Sequence, residues 1–173
     1  MNFIEEIKEK AKKDLKSIVL PDSLKELGED VFNGCYSLIS IHIGKNLTIF
    51  GDGALNYCTG LTTITVNSQN TSFYVLDGAL YGDGGKSLVF YPNTLTNLTY
   101  HMPATVESIY GSQLESNKHL TEIVVSKDSS KFSSYDGVLY DKNITEIKLK
   151  VSCINEIYII YSKYIMNILT IYT

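Results

Sequence analysis

Apolar residues recur along this chain with a repeat far longer than any secondary-structure period. Leu15, Ile18, Leu20, Leu24, Leu27, Val31, Phe32 and Cys35 align without gaps on Leu38, Ile41, Ile43, Leu47, Phe50, Ala54, Leu55 and Cys58, an offset of 23 residues. Self-similarity at a period of roughly 20 to 50 residues marks a solenoid or propeller and takes precedence over local readings. Within each unit, Leu-x-x-Ile-x-Leu predicts a short strand whose alternate residues turn inward. Leu-x-x-Leu-Gly-x-x-Val-Phe predicts a return segment on the far side of the coil. A weaker copy runs from Asn97 through Tyr100, Met102, Pro103, Val106, Ile109, Leu114 and Asn117, and the next unit opens at Leu120.

A longer unit overlies the short one. Leu61-Thr62-Thr63-Ile64-Thr65-Val66, followed by Phe73 and Asp77-Gly78-Ala79-Leu80-Tyr81, matches Leu120-Thr121-Glu122-Ile123-Val124-Val125, followed by Phe132 and Asp136-Gly137-Val138-Leu139-Tyr140, at an offset of 59. The fold predicted is an α/β-type repeat solenoid, mostly β, with 23-residue coils alternating with 36-residue coils that carry β-hairpins. In the expanded coil, Asp77-Gly78 and Asp83-Gly84 separate strand-like runs at 73–76, 79–81 and 87–91, which predicts a three-stranded meander. No coil closes a core alone. Stacking places Leu15, Leu38, Leu61 and Leu120 in one buried column and Ile18, Ile41, Ile64, Tyr100 and Ile123 in another.

The two ends differ from the repeat. Residues 1–14 carry Ile4, Ile7 and Ala11 near helical spacing on a charged segment, which predicts a helical cap over the first coil. Residues 15–149 form the solenoid. Residues 150–173 are an atypical Ile- and Tyr-rich tail of strong β-propensity, with no glycine or proline after Gly137.

Composition narrows the choice of function. The net charge of -4 supplies no cationic face for phosphates, and Lys8, Lys10, Lys12, Lys13 and Lys16 are interleaved with acids, which argues against nucleic acid. Charges at Glu5, Glu6, Lys8 and Glu9 leave no export signal visible at the start. Residues 154–172 are apolar, but Glu156 and Lys163 fall among them and argue against a membrane span.

Residues 15–149 resemble the BspA-like branch of leucine-rich repeats, found in bacterial and protist surface antigens. The resemblance rests on Ile18-x-Leu20-Pro21-x-Ser23-Leu24-x-x-Leu27-Gly28, on Phe32-x-x-Cys35, and on the Asp-Gly-x-Leu-Tyr elements at 77–81 and 136–140. It implies a cell-surface or extracellular adhesion module that binds a protein or glycoprotein, such as host matrix or another cell surface. The invisible export signal leaves a cytoplasmic location open, and oligomeric state is not readable.

Chemistry-bearing residues are few, and no cofactor or metal is expected. Cys35 and Cys58 occupy equivalent sites in adjacent coils, with Asn117 in the third place, and read as buried free thiols. No Cys-x-x-Cys or His-x-x-x-His accompanies them. His42 and His101 share an outward strand position, whereas His119 falls in a return loop. Asp77, Asp83 and Asp136 sit beside glycine, where backbone geometry favours Asp, so they read as turn residues and not as an acid–base pair. The sequons at Asn46, Asn70, Asn97 and Asn143 read as Asn-rich turns.

The expected site is the outward face of the strands. Residues flanking each buried Ile line up as Ser17, Ser40, Thr63, Thr99 and Glu122 in one ladder and Val19, His42, Thr65, His101 and Val124 in the next. This flat, weakly charged surface suits dispersed contacts with a macromolecule better than enclosure of a small one. Two other readings stay open: a glycan-active β-solenoid enzyme, and a truncated family member with little function alone.

Overall fold

The computed structural model of the protein describes residues 12–110, 114 and 117–149. These fall into two compact units, one of residues 12–95 and 105–110, the other of residues 96–104, 114 and 117–149. Both are mostly β, as the repeat predicts, and both are built from stacked coils of a β-solenoid.

In the first unit the opening strands are β1 (Ser17–Val19), β2 (Glu26–Leu27), β3 (Ser40–Ile43), β4 (Ile49–Phe50) and β5 (Thr63–Val66). Strands β1, β3 and β5 pair in parallel, with Ile18 opposite Ile41 and Ile41 opposite Ile64. The short return strands β2 and β4 pair in parallel too, Leu27 opposite Phe50. Every one of these pairs joins residues 23 apart, so sequence period and hydrogen-bond register coincide. The ladder continues round the turns, where the Phe32 amide donates to the Ala54 carbonyl at 2.9 Å and the Gly34 amide to the Asn56 carbonyl at 2.8 Å. One buried backbone thus satisfies the next, as an interior without water requires.

Coil-to-coil approach sets Gly44, Gly51 and Gly60, where an added Cβ would run into backbone of the preceding coil. A Cβ on Gly44 would lie 2.7 Å from the carbonyl oxygens of Leu20 and Pro21, in the preceding coil. The core column is dense: Leu38, Ile41, Ile43, Leu47 and Leu61 are fully buried, and Ile64 nearly so. Leu15 and Ile18 are only half-buried, because the first coil has a described neighbour on one side alone.

The expanded coil folds as β6 (Tyr74–Leu76), β7 (Ala79–Gly82) and β8 (Ser87–Phe90), an antiparallel meander as expected. Asp77 and Gly78, at φ of 50° and 83°, form the tight turn that matches strand twist. The meander is larger than the sequence predicted. Strand β10 (Ser108–Ile109) joins it in parallel, Ile109 opposite Leu88, and completes a four-stranded mixed sheet.

In the second unit β9 (Thr99–Met102) pairs in parallel with β11 (Glu122–Val125), again 23 residues apart, Tyr100 opposite Ile123. A second meander follows as β12 (Phe132–Tyr135), β13 (Val138–Asp141) and β14 (Ile147–Leu149), turning at Asp136-Gly137 with φ of 50° and 76°. Met102, Leu114, Leu120 and Ile123 are buried.

Residues 12–14 are helical; the remainder of the expected cap, residues 1–11, lies outside the described residues. So does the expected tail, 150–173, with the third cysteine, Cys153. No helix among the described residues is long and apolar enough to cross a membrane.

Candidate ligand-binding face

Parallel pairing decides which outward side chains are neighbours. Register aligns Ser17 with Ser40 and Ser40 with Thr63, and it aligns Val19 with His42 and His42 with Thr65. In the second unit it aligns Thr99 with Glu122 and His101 with Val124. The residues expected in two continuous ladders therefore occupy two separate parallel sheets, because the β6–β8 meander intervenes in the chain between β5 and β9.

The outward residues of the first sheet include no Asp, Glu, Lys or Arg. Ser17, Val19, Thr63 and Thr65 are exposed, Ser40 and His42 half-buried, and Val19 shows 68% of its surface. The His42 ring Nδ1 lies 2.8 Å from the Thr65 hydroxyl, a side-chain bond that links adjacent coils. In the second sheet the Thr99 hydroxyl donates to a Glu122 carboxylate oxygen at 3.2 Å. His101 is exposed and Val124 half-buried.

Not every hydroxyl at this edge is free for a ligand. Thr62 and Thr121 donate to the carbonyls of Ile39 and Leu98, and on the return side Thr48 donates to that of Lys25. Each bond reaches back 23 residues, so these threonines brace the stack. A comparable clasp is made by Asp22, whose carboxylate accepts the Lys45 amide at 2.7 Å and the Asn67 side-chain amide at 3.4 Å.

The other chemistry-bearing residues serve the backbone. Asp77, Asp83 and Asp136 all have positive φ in turns. Asn70 is a turn organiser: its amide nitrogen donates to the carbonyls of Gly44 and Leu47, and its oxygen accepts the amides of Ser72 and Phe73. Asn117 does likewise, accepting the amides of His119 and Leu120. Asp141 holds the β13–β14 connection: the backbone amide of Glu146 and the Thr145 hydroxyl bond its carboxylate and lower its pKa.

Cys35 and Cys58 are buried free thiols. The Cys58 thiol donates to the Phe32 carbonyl at 3.2 Å. Burial, and then the neighbouring Cys35, push its pKa up to about 12, and burial raises that of Cys35 as well. A protonated, enclosed thiol is a packing group and not a nucleophile. No His, Cys, Asp and Glu cluster able to hold a metal occurs among the described residues.

Stacked parallel coils with a repeating register and hairpin-bearing insertions define a repeat protein of the β-solenoid class. The chain belongs to the BspA type leucine rich repeat family, which matches residues 4–80 and 85–167 in six copies. No curated protein matches it. Among solved structures it is similar to a leucine-rich repeat protein from Eubacterium ventriosum, at 24% identity and a TM-score of 0.62 over 69% of this chain and 32% of that one. It is also similar to the pneumococcal vaccine antigen PcpA, at 20% identity and a TM-score of 0.54, covering 66% of this chain and 35% of that one. A leucine rich cell surface protein from Faecalibacterium prausnitzii shows 22% identity and a TM-score of 0.53, with 68% and 38% covered. These likenesses establish the fold. The chain spans roughly a third of the length of each of them.

Proposed function

We propose that this chain is a non-catalytic recognition module that binds a protein or glycoprotein through the outward faces of its parallel strands. The contact residues are Ser17, Val19, Ser40, His42, Thr63 and Thr65 on one sheet and Thr99, His101, Glu122 and Val124 on the other. The observation that carries the reading is the face of β1, β3 and β5, where small hydroxyls, β-branched residues and one imidazole stand in register with no Asp, Glu, Lys or Arg among them. Such a surface gains affinity from many modest contacts and excludes little from a long partner. A solenoid presents it over successive coils.

The family and the surface proteins among its structural relatives support a location at the cell surface, with host matrix or another cell as the partner. The acidic balance weighs against nucleic acid. Screening the full chain against matrix proteins and cell-surface glycoproteins, followed by hydrogen–deuterium exchange on the complex, tests the reading. Protection at residues 17–19, 40–43 and 63–66 is expected. Protection confined to the Asp77-Gly78 or Asp136-Gly137 turns would place recognition on the hairpins instead.

A further inference from the structure

Away from the strand faces, the first unit holds a cleft of about 130 Å³. Its apolar wall is Ile49 and Phe50 of β4, Phe73 at the entry to β6, and Val89 of β8; Phe50 and Phe73 meet edge to face, with ring centres 5.8 Å apart. Three polar side chains complete the lining: Thr48, Asp83 and Tyr110. We propose that this cleft binds the primary ammonium end of a lysine side chain presented by a partner protein. The proposal goes beyond the strand-face reading and uses none of its residues.

Size, charge and hydrogen-bond count favour that group. At about 130 Å³ the open cleft has room for a small polar head group and the end of its alkyl stem. A primary ammonium carries three N–H donors and no acceptor. Three lining residues, Thr48, Asp83 and Tyr110, carry acceptor oxygens. Ser87 donates to one carboxylate oxygen of Asp83, Oδ2, which leaves Oδ1 open among the described residues. The Ser87 hydroxyl lies 2.9 Å from that of Ser108, so the carboxylate is held in place from behind. Thr48 donates its hydroxyl proton to the Lys25 carbonyl and keeps its lone pairs. The Tyr110 phenol supplies the third acceptor.

The aromatic walls add attraction for a cation that a neutral head group would lack. No lining residue is cationic, and nearby Lys86 is paired with Glu107 at 3.2 Å, so the Asp83 charge is not neutralised locally. A quaternary ammonium has no proton to give these acceptors. A guanidinium has a planar fork that asks for a bidentate carboxylate, and one oxygen of Asp83 is already taken.

The test is an NMR titration of the isotopically labelled full chain with Nα-acetyl-lysine N-methylamide, alongside its Nε-acetylated form. Saturable shifts centred on Thr48, Phe73, Asp83 and Tyr110 are expected from the first and none from the second. Asp83→Asn keeps the turn, because Asn tolerates the positive φ and still accepts from Ser87, but removes the charge; a loss of about tenfold in affinity is expected. Tyr110→Phe retains the ring and deletes one acceptor, for a loss of a few-fold. Absence of saturable binding, equal binding of the acetylated form, or unchanged affinity in either variant overturns the proposal.

Discussion

The ring of His42 and the hydroxyl of Thr65, 23 residues apart in the chain, meet at 2.8 Å across adjacent strands. That distance follows from the parallel register, which puts equivalent positions of successive coils side by side about 5 Å apart along the stack. A residue in one coil therefore has its counterpart in the next as a lateral neighbour. Stability and the candidate face both rest on this relationship.

The buried column is where the stack is most vulnerable. Ile41, on the central strand β3 and only 1% exposed, packs with Ile18 and Ile64 on either side. Ile41→Asn is expected to cost about 2 to 5 kcal/mol through lost packing and an unsatisfied buried amide. Chemical denaturation measures it. A loss below about 1 kcal/mol would mean that the column does not carry the fold.

Two glycines separate steric from conformational demand. Gly44→Ala drives a Cβ into the carbonyls of Leu20 and Pro21 and forces the coils apart, at about 1 to 3 kcal/mol. Gly84, at φ 66°, has nothing within 4 Å of an added Cβ, so Gly84→Ala should cost only the left-handed backbone penalty, about 1 kcal/mol. Comparing the two melting temperatures checks the order; a larger drop for Gly84→Ala would contradict the close approach at Gly44.

The buried thiols give a pH signature. Because the folded-state pKa of Cys58 is raised to about 12, the native chain keeps a proton that the unfolded chain releases near the ordinary thiol value. Stability from this group is full below about pH 8.5 and falls as pH rises from there towards 12. Cys35 and Cys58 should resist iodoacetamide at pH 8 in the native state and react once guanidinium unfolds the chain. Mass spectrometry resolves each site, and rapid native labelling at either would show that the turn is open.

Much of the fold was legible in the sequence because one coil predicts the next. Leu38, Ile41 and Leu61 were placed in the core by period alone, and Asp77-Gly78 and Asp136-Gly137 marked their hairpins because few residue pairs accept two positive φ values in succession. The role of β10 was not legible. Ile109 sits in a weak repeat copy, and its partner Leu88 lies 21 residues away, off the 23-residue period. Tyr57 was hidden for a different reason: it holds φ 59° where the preceding coil has Gly34 at 77°, so the backbone repeats while the residue type does not. The cleft beside Asp83 escaped notice because Thr48, Phe73 and Tyr110 come together only through coil stacking, at spacings no motif records.

Outward neighbours within each sheet were legible, since alternation along a strand and register between strands follow from geometry, but the break that puts Thr63 and Thr65 in one sheet and Thr99 and His101 in another was not. What they bind follows from their chemistry, which a replacement can invert. His42→Lys, Thr63→Lys and Thr65→Lys together keep strand and core but load one face with like charges. The decisive measurement is the affinity of this triple variant for a partner captured by the parent chain, taken beside its melting temperature. A loss of about a hundredfold or more, some 3 kcal/mol at an otherwise stable fold, is the result expected of a face whose central contacts carry the binding. Affinity within about twofold of the parent, well under 1 kcal/mol, would contradict the assignment of recognition to β1, β3 and β5.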